Sequence, residues 1–511
     1  MRSRPATVAL ATATVRDLEA RAMSDLAPGT LMQRAAAALA VAAGGMLRDI
    51  TGLVTGSRVV LLVGSGDNGG DALYAGARLA SRGARVDALL VADRHHAAGA
   101  AALRRAGGRL HATTDLLAAA ELVANADLVL DGIVGIGGRG ALREPSATLA
   151  ALVRETDTAV LSVDVPSGVD ADTGAVADHG AVVRADRTVV LGVLKPGLLV
   201  GQGAAYAGDL EVVDIGLDLG DLDPRGSLVL VDDRLAAAAL ERPGLDDDKY
   251  SRGVVGLSTG SAAYPGAGVL STGAARCGVA GYVRHSGPAS AAVSTAWPDV
   301  VTTTESIDAA GRVQCWVLGC GRGTDADARN ALLAAARIDV PLVLDADALT
   351  LLATDDEIRS AVRGRSATTV LTPHAGEFAR VAGHEVGPDP IGAARALATT
   401  LGVVVLLKGA ATVVAAPEGP AYVAVAAPPE LATAGSGDVL AGLLGSLLAH
   451  HEARGRLDAV TAARLAATAA HVHGVAGALA VGGGRPVTAA DVLDALPEAV
   501  RRIRGWVSRD T

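Results

Sequence analysis

Residues 58–71 read RVVLLVGSGDNGGD, a run of valine and leucine followed at once by a loop of glycine, asparagine and aspartate. The apolar run predicts a buried strand, and the residues beyond the loop predict a helix that starts near Asp71. Glycines between a strand and a helix let a phosphate approach the backbone. The spacing differs from G-x-G-x-x-G, and Asp67, Asn68 and Asp71 add oxygen ligands. The stretch predicts a strand–loop–helix unit that binds a polar ligand.

The alternation of strands and helices continues through the first half of the chain. Further strand-like runs are RVDALLV (85–91), DLVLD (127–131), AVLSVD (159–164), RTVVLGV (187–193) and LEVVDI (210–215). Such alternation predicts a parallel sheet covered by helices on both faces.

A second region of the same class follows a break. Residues 216–252 are rich in Gly, Pro and Asp, which is typical of a domain boundary. The pattern restarts in GVVGLSTGS (253–261), VQCWVLGCGRG (313–323), PLVLDADAL (341–349), TTVLTPHAGEF (368–378) and GVVVLLKGAATVVAA (402–416), and ends in long Ala/Leu helices. We expect two α/β domains, residues 1–225 and 226–511.

Composition narrows the class of partner. The 511 residues carry a net charge of −10 and only one Phe, six Tyr and three Trp, which argues against nucleic acid as the main partner. The three cysteines show no C-x-x-C spacing, as expected in a reducing compartment. Apolar runs of membrane-spanning length are interrupted by charges or glycine clusters, and the N-terminal residues lack a signal-type cleavage site. We expect a cytoplasmic protein that acts on small molecules and does not bind a membrane.

Two further loops of the first half follow predicted strands. They are DGIVGIGGRGALRE (131–144) and DVPSGVDADTG (164–174). In open α/β sheets ligands bind at the carboxyl ends of strands, so these loops and residues 64–71 could converge on one polyanionic ligand with a hard cation. Each loop alone is more often a simple Gly/Asp turn.

In the second half, TAGSGD (433–438) precedes an apolar helical pattern and can seat a phosphate. The alternative is an ordinary capped helix start with Asp438 in its first turn. His374 could equally be a cap or turn residue, and Lys408 a solvated lysine at a strand end. Lys195, before Pro196, is either a phosphate contact or a turn lysine.

These motifs resemble those of the bifunctional NAD(P)H-hydrate repair enzymes, in which an epimerase domain precedes an ADP-dependent dehydratase domain. The resemblance covers nearly the whole chain. It rests on residues 14–40, GSGDNGGDA (64–72), DVPSGVDADTG, residues 194–217, YPGA (264–267), GCGRG (319–323), LTPHAGEF (371–378), KGAAT (408–412) and TAGSGDVLAGLLG (433–445). It implies a Rossmann-like three-layer domain with a parallel sheet, followed by a ribokinase-like α/β domain.

For the epimerase half, the resemblance implies one binding site for the hydrated cofactors NADHX and NADPHX. The implied substrate residues are Asp67, Asn68, Gly69, Gly70, Asp71, Gly135, Ile136, Gly137, Gly138, Arg139, Gly140, Ala141 and Asp164. Asn68, Asp131 and Ser167 are implied potassium ligands, and oxygen donors suit such a hard cation. Asp164 is assigned as the acid/base at the C6 centre. Ala72 stands where relatives usually have glycine.

For the dehydratase half, the resemblance implies that Ala267, Gly321, His374 and Asp438 contact the hydrated nicotinamide nucleotide. The implied ADP ligands, bound with magnesium, are Lys408, Gly409, Ala410, Ala411, Thr412 and Gly437. Asp438 would take the proton of the C6 hydroxyl before phosphoryl transfer, and elimination of phosphate would restore the double bond. Cys320 replaces a proline common in relatives. The family also leads us to expect a homo-oligomer.

Two other classes of function fit parts of this pattern. Ribokinase-like small-molecule kinases also use a Gly-x-Gly-Asp loop, and a stable phosphate ester as product would distinguish them. A non-catalytic nucleotide-binding module is the other alternative, although the joint presence of Asn68, Asp131, Asp164 and Ser167 argues against it. His471 and His473 lie two residues apart on a helix, the wrong spacing for joint metal ligation, and are expected to be structural.

Overall fold

The strands of the first half are buried on both faces, as their nearly continuous apolar sequences require. In the computed structural model, alternate residues of the strand Arg58–Val63 enter two separate cores: Val59, Leu61 and Val63 on one face, Val60 and Leu62 on the other. Helices cover both faces, so the unit has three layers.

The structure describes residues 8–220, 222–223, 226–425 and 427–506, without the side chain of residue 506. The chain divides into two units, Met1–Ser227 and Leu228–Thr511. Residues 1–7 of the expected first domain, and residue 225 at its expected end, lie outside the described residues.

In the first unit the strands are β1 Val8–Leu10, β2 Arg58–Val63, β3 Arg85–Leu90, β4 Arg109–Ala112, β5 Leu128–Gly132, β6 Ala159–Val163, β7 Arg187–Leu191 and β8 Asp209–Val213. The helices are α1 Thr12–Asp25, α2 Thr30–Thr51, α3 Asp67–Ala80, α4 Ala97–Arg105, α5 Leu116–Ala124 and α6 Ser146–Arg154. Strands β2 to β8 form one parallel sheet in the order β4-β3-β2-β5-β6-β7-β8.

The second unit is built in the same way around a larger sheet. Its strands are β9 Ser227–Leu230, β10 Val254–Ser258, β11 Tyr282–Ser286, β12 Val301–Thr303, β13 Cys315–Leu318, β14 Leu342–Leu344, β15 Thr369–Leu371, β16 Val404–Leu407, β17 Thr412–Ala415 and β18 Ala421–Ala424. They are ordered β9-β18-β17-β16-β15-β14-β13-β10-β11-β12. Pairing is parallel from β16 through β12, whereas β16-β17-β18 pair antiparallel.

The helices of this unit are α7 Asp233–Ala239, α8 Pro265–Arg276, α9 Ser290–Ala296, α10 Ala326–Arg337, α11 Asp347–Thr354, α12 Asp356–Arg363, α13 Ala375–Ala382, α14 Pro390–Leu401, α15 Ser436–Arg454, α16 Ala459–Val481 and α17 Ala489–Trp506. The long Ala/Leu helices α15 and α16 are largely buried in the main core of the unit, as their apolar sequences indicate.

The structure confirms the expected α/β class and changes several details. Strands β1, β11, β12 and β18 lie outside the predicted runs. Helix α3 begins at Asp67 rather than near Asp71, so the polar residues of the loop occupy its first turns. Strand β4 was missed, because its sequence RLHA is short and weakly apolar. The run 402–416 is not one strand but the hairpin β16-β17, whose turn contains Lys408, Gly409, Ala410 and Ala411.

Among the described residues one helix, α2, is long and apolar enough to cross a membrane by length and composition. Half of its most apolar window is buried, and the helix packs against α3. It also carries the charges Arg34 and Arg48 and the pair Gly44 and Gly45 that the sequence shows. Core helices of soluble proteins pass the same test, so this is weak evidence for a membrane span.

Candidate active sites

The candidate site of the first unit lies at the carboxyl edge of its sheet. Strands β2, β5, β6 and β7 are neighbours and parallel, so the residues that follow them share one edge. The start of α3, the loop after β5, Asp164 after β6 and Lys195 after β7 therefore come together, as the positions of the glycine- and aspartate-rich loops predicted.

Asp164 and Lys195 form a buried ion pair. The Lys195 ammonium is fully buried and donates to Asp164 Oδ1 and to the Leu191 carbonyl, the latter at 2.9 Å. Asp164 Oδ1 also accepts the Leu191 N–H at 2.9 Å, and Asp164 has a left-handed backbone, φ 66°. Lys195 is thus neither an exposed turn lysine nor a free phosphate contact, because its charge is directed at Asp164.

Asp131 and Ser167 lie within one hydrogen-bond network. The fully buried Asp131 carboxylate accepts from Ser167 Oγ at 2.6 Å, from the Ser167 N–H at 2.8 Å and from Ser162 Oγ at 3.0 Å. Burial raises the pKa of Asp131, and the hydrogen bonds from Ser167 oppose that shift. Every donor in this set is neutral, so the negative charge of an ionised Asp131 is not matched by a cation among these contacts.

Asn68 contacts both the end of β6 and the loop after β5. Its side-chain amide donates to the Val163 carbonyl at 2.7 Å, one residue before Asp164. A Cβ atom on Gly135 would lie 2.3 Å from Asn68 Oδ1, so the amide oxygen packs directly against the loop 135–141. The Ile136 carbonyl in that loop accepts from Arg16 of α1 at 3.2 Å.

A pocket of about 510 Å³ opens beside these residues and is lined in part by Glu19, Asp67, Asp71, His96 and Leu191. Asp71 is buried, and its Oδ1 has no hydrogen-bond partner among the described residues. Burial, followed by the charge of Asp164, raises the pKa of Asp71 well above its ordinary value. The same two causes raise the pKa of Glu19. The site therefore contains carboxyl groups that favour the protonated form.

Sequence reasoning missed Glu19 and the pairing of Lys195. Glu19 lies on α1, far from every glycine loop in sequence, and its helix reads as an ordinary charged helix. The available signal was its place within residues 14–40, one of the stretches that carried the resemblance.

In the second unit, α15 begins at Ser436, and its N-cap residue Gly435 supplies no side-chain cap. Asp438 lies in the first turn, as both interpretations of the sequence expect, but the helix start has no side-chain cap. Its carboxylate lies close to Cys320 and Asp345, since one ligand atom from each of the three falls within 4.8 Å of the others. Burial, followed by the charge of Asp345, raises the pKa of Asp438 to about 7.

Lys408 is the cation of this cluster. Its Nζ lies 2.8 Å from Asp345 Oδ1 and 3.6 Å from Glu377 Oε2. Burial lowers the pKa of Lys408, but the charges of Asp345 and Glu377 outweigh it and leave that pKa raised. A Cβ atom on Gly437 would lie 3.5 Å from Lys408 Nζ and 3.7 Å from Asp345 Oδ2, so the helix start faces this pair. Lys408 is therefore not a solvated lysine.

His374 is the N-cap residue of α13. Its Nδ1 accepts the Gly376 N–H at 3.0 Å, and Glu377 Oε2 accepts the His374 N–H at 2.8 Å, a capping box. His374 is therefore a capping residue, one of the two roles that the sequence allowed. Its side chain is more than half exposed, and the residue lies beside Lys408 and Glu377.

The remaining sequence-derived residues fall around this cluster. A Cβ atom on Gly321 would lie 2.7 Å from the Ala267 Cβ, so those two residues adjoin. Thr412 begins β17 just beyond the turn. His471 contacts Asp233 at 2.8 Å, whereas burial lowers the pKa of His473 to about 4, so the two buried histidines have separate environments.

Sequence reasoning missed Asp345 and Glu377. Asp345 directly follows β14 in the run PLVLDADAL, and Glu377 lies in α13, which follows β15, in the run LTPHAGEF. The position of Asp345 after β14, the neighbour of β13 and β15, was the signal that could have identified it.

Comparison with known proteins assigns the two halves to known families. Residues 28–197 match the family described as YjeF-related protein N-terminus, and residues 255–498 match the family described as NAD(P)H-hydrate dehydratase. The chain is 48% identical to the bifunctional NAD(P)H-hydrate repair enzyme Nnr of Mycobacterium leprae over 86% of this chain and 88% of the relative. The Mycobacterium tuberculosis (strain CDC 1551 / Oshkosh) protein of that name is 47% identical over 85% and 88%.

Among solved structures, an ADP/ATP-dependent NAD(P)H-hydrate dehydratase from Bacillus subtilis, co-crystallised with ATP/Mg²⁺, is 23% identical. The match covers 53% of this chain and 97% of that chain, with a TM-score of 0.46.

The protein is thus a two-unit α/β enzyme. The chain belongs to the family of bifunctional NAD(P)H-hydrate repair enzymes. Family membership and the sheet order confirm the expected fold class, a first unit with a Rossmann-like parallel sheet followed by a second α/β unit. They also confirm the expected class of enzyme, and the dehydratase match disfavours a simple kinase.

Gly64 directly follows β2, and glycine is required there because its backbone lies close to the backbone of Ile133. A Cβ atom there would lie 1.8 Å from the Ile133 carbonyl oxygen. Gly64→Ala should therefore destabilise the protein by about 1–3 kcal/mol or more through overpacking. Gly45→Ala is the matched control, because a Cβ atom at this helical position meets nothing within 4 Å and should be neutral or stabilising. Thermal unfolding of both variants measures the difference, and an unchanged melting temperature for Gly64→Ala would contradict this packing.

Proposed function

We propose that residues 1–225 epimerise the R and S forms of hydrated NADH and NADPH, and that residues 226–511 dehydrate the S form to NAD(P)H at the expense of ADP. The two halves match separate families, and the named relatives are bifunctional repair enzymes of NAD(P)H hydrates. One observation carries the dehydratase assignment: a partly buried carboxyl group, Asp438, whose pKa is about 7, lies at a glycine-rich helix start beside Lys408.

Dehydration requires a general base and a binding site for the transferred phosphoryl group. In this proposal Asp438 accepts the proton of the C6 hydroxyl, and the oxygen attacks the terminal phosphorus of ADP, so that the bond to the AMP leaving group breaks. The backbone around Gly437 and the Lys408 ammonium stabilise the transferred phosphoryl group. The C6–O bond of the phosphate ester then breaks and the departing phosphate takes the C5 proton, so that the C5–H electron pair forms the C5=C6 double bond. A pKa near neutrality suits Asp438 to this role.

The residues that we assign to ADP binding lie in the β16-β17 turn and at the start of α15. Lys408, Gly409, Ala410, Ala411 and Thr412 form the turn and the start of the next strand in a hairpin, and Gly437 faces Lys408. Ala267, Gly321 and His374 would contact the hydrated nicotinamide nucleotide.

Magnesium bound with ADP fits the donor set of this site. Asp345 has one oxygen on Lys408, and its second oxygen is turned toward Cys320 and Gly437. Asp345 is the carboxylate that would hold the ion, since hard oxygen ligands suit magnesium and its second oxygen does not contact Lys408. When bound, the ion would neutralise charge on the transferred phosphate.

For the epimerase, we assign the proton transfer at C6 to Asp164. Its carboxylate accepts the hydroxyl proton as the C6–N1 bond breaks, C6 becomes a carbonyl carbon and the bonding electron pair moves to N1. Asp71, whose pKa is raised by burial, supplies a proton to N1. Closure on the opposite face reverses these transfers. Lys195 donates to Asp164 and holds that carboxylate in place. The loop 135–141 and residues 67–71 bind the dinucleotide.

A potassium ion held by Asn68, Asp131 and Ser167 fits the donors present. Asp131 is a buried carboxylate whose hydrogen bonds come from neutral groups, so a cation nearby would balance its charge. Asn68 Oδ1 and Ser167 Oγ are oxygen donors of the kind that bind such ions.

We further propose that the protein acts in the cytoplasm on NADHX, NADPHX and ADP, as a homo-oligomer, without nucleic acid or membrane partners. Its three cysteines are free, and its net charge is −10.

Asp438→Asn tests the dehydratase mechanism because it keeps the side-chain shape and removes the base. We expect turnover of the S hydrate to fall by about 100- to 10,000-fold, with ADP binding retained. Nicotinamide absorbance follows dehydration, and epimerase activity in the same chain reports folding. A variant that dehydrates at near-native rate would exclude Asp438 as the base.

The pH profile gives a second test. A base acts only when ionised, and Asp438 ionises around pH 7, so kcat/KM for dehydration should rise with pH and level off above about 8. Below pH 6 it should fall about tenfold per unit of pH. The residual activity of Asp438→Asn, measured in the same buffers, corrects for ionisation of ADP. A wild-type profile that parallels that of the variant would contradict the assignment.

Asp131→Asn tests the potassium site with little change in shape. We expect slower epimerisation that no longer responds to replacement of potassium chloride by choline chloride at constant ionic strength, because the anionic ligand is lost. Dehydration of the S epimer by the second unit is the internal control. Retention of the wild-type potassium response in this variant would rule out Asp131 as part of the site.

A further inference from the structure

A pocket of about 630 Å³ in the second unit has no role in the function proposed above. It lies at the carboxyl ends of β10 and β11 and is lined in part by Ser258, Ser286, Gly287, Glu305, Arg322 and Arg337. Arg322 directly follows Gly321, one of the residues expected to contact the substrate. One wall of the pocket therefore begins one residue beyond the loop that is expected to contact the substrate.

Arg322 is a buried cation with an unused donor. Only 7% of the residue is exposed, and Nη2 forms an ion pair with Asp327 of α10. Its Nε atom is buried and has no hydrogen-bond partner among the described residues. An unsatisfied donor on a charged group is costly, and a bound acceptor would remove that cost. Asp327 fixes the guanidinium while its Nε stays available.

Gly287 keeps the space beside this donor open. It has a left-handed backbone, φ 137°, and a Cβ atom there would lie 3.7 Å from both Arg322 Nε and Ser258 Oγ. A larger side chain would occupy the space between the end of β11 and the guanidinium. The pocket wall is thus formed by backbone and a buried arginine, a combination suited to phosphate oxygens.

The distance from the catalytic cluster to the pocket is comparable to the length of a dinucleotide. The strand order β14-β13-β10-β11 separates Asp345, at the end of β14, from Ser286, at the end of β11, by three strand spacings. At about 4.8 Å per spacing, this is roughly 14 Å along the sheet edge. A substrate whose nicotinamide lies at Asp438 extends over such a distance through its diphosphate.

We propose that this pocket binds the adenylyl half of the hydrated dinucleotide, with Arg322 donating to the diphosphate oxygens. The exposed carboxylates Glu305 and Asp308 at its rim would accept hydrogen bonds from the adenosine ribose. This inference rests on the proposed dehydratase function and names a further binding residue for its substrate.

Arg322→Gln in the full-length chain tests the subsite. With the S hydrate of NADH at saturating ADP, we expect KM to rise about 10- to 100-fold, the effect of one charged hydrogen bond, with kcat within about twofold. The S hydrate of reduced nicotinamide mononucleotide lacks the adenylyl half, so its kcat/KM should be the same in wild type and variant. Arg322→Lys, which keeps the charge, should show a smaller rise in KM. Arg502→Gln on the exposed surface of α17 is the charge-matched control.

Three outcomes would overturn the subsite. An unchanged KM for the NADH hydrate means that Arg322 does not bind it. An equal loss of activity with the mononucleotide hydrate means that the substitution acts through the fold or the catalytic groups. A rise in KM for ADP alone means that the pocket takes the adenylyl group of ADP. Wild-type protein that fails to dehydrate any hydrate with ADP would instead refute the proposed function, which keeps the two failures distinct.

Discussion

Both candidate sites depend on the burial of carboxyl groups at the carboxyl ends of parallel strands. Desolvation disfavours the charged form of a carboxyl group, and neighbouring carboxylates add to that effect. Each unit places one buried lysine against a strand-end aspartate: Lys195 against Asp164, and Lys408 against Asp345. The lysine donates to its own partner aspartate, while the carboxyl groups beside that pair, Asp71 or Asp438, have raised pKa values.

This arrangement separates the roles of groups that are chemically alike. Burial raises the pKa of Asp71, whereas the Asp164 carboxylate accepts a hydrogen bond from the Lys195 ammonium. A site with one proton donor and one acceptor is what reversible opening of a ring at C6 requires. The same principle leaves Asp438 with a pKa of about 7, where a modest change of pH converts it from acid to base.

The sequence predicted those features that depend on short-range patterns. Strand β2 matches its predicted span, because an uninterrupted apolar run has few alternatives, and glycine-rich loops mark the ends of buried strands. Contacts between distant segments were not predictable in this way. Glu19 lines the first pocket from a helix without a glycine loop, and the pairing of Lys195 with Asp164 joins segments 31 residues apart. The hairpin in 402–416 was missed because valine-rich strands on both sides of a small turn read as one run.

Cys320 shows why the identity of a single loop residue matters to the second site. The family resemblance suggests proline at this position, and proline has no side-chain donor. The Cys320 thiol is fully buried, and burial, followed by the charge of Asp438, raises its pKa well above its usual value, so the thiol stays protonated. Its sulfur lies 3.7 Å from Asp345 Oδ2, and its hydrogen bond to Asp438 lowers the pKa of that carboxyl group. The thiol therefore offsets part of the repulsion between Asp345 and Asp438, and loss of this donor would make Asp438 a base at higher pH only.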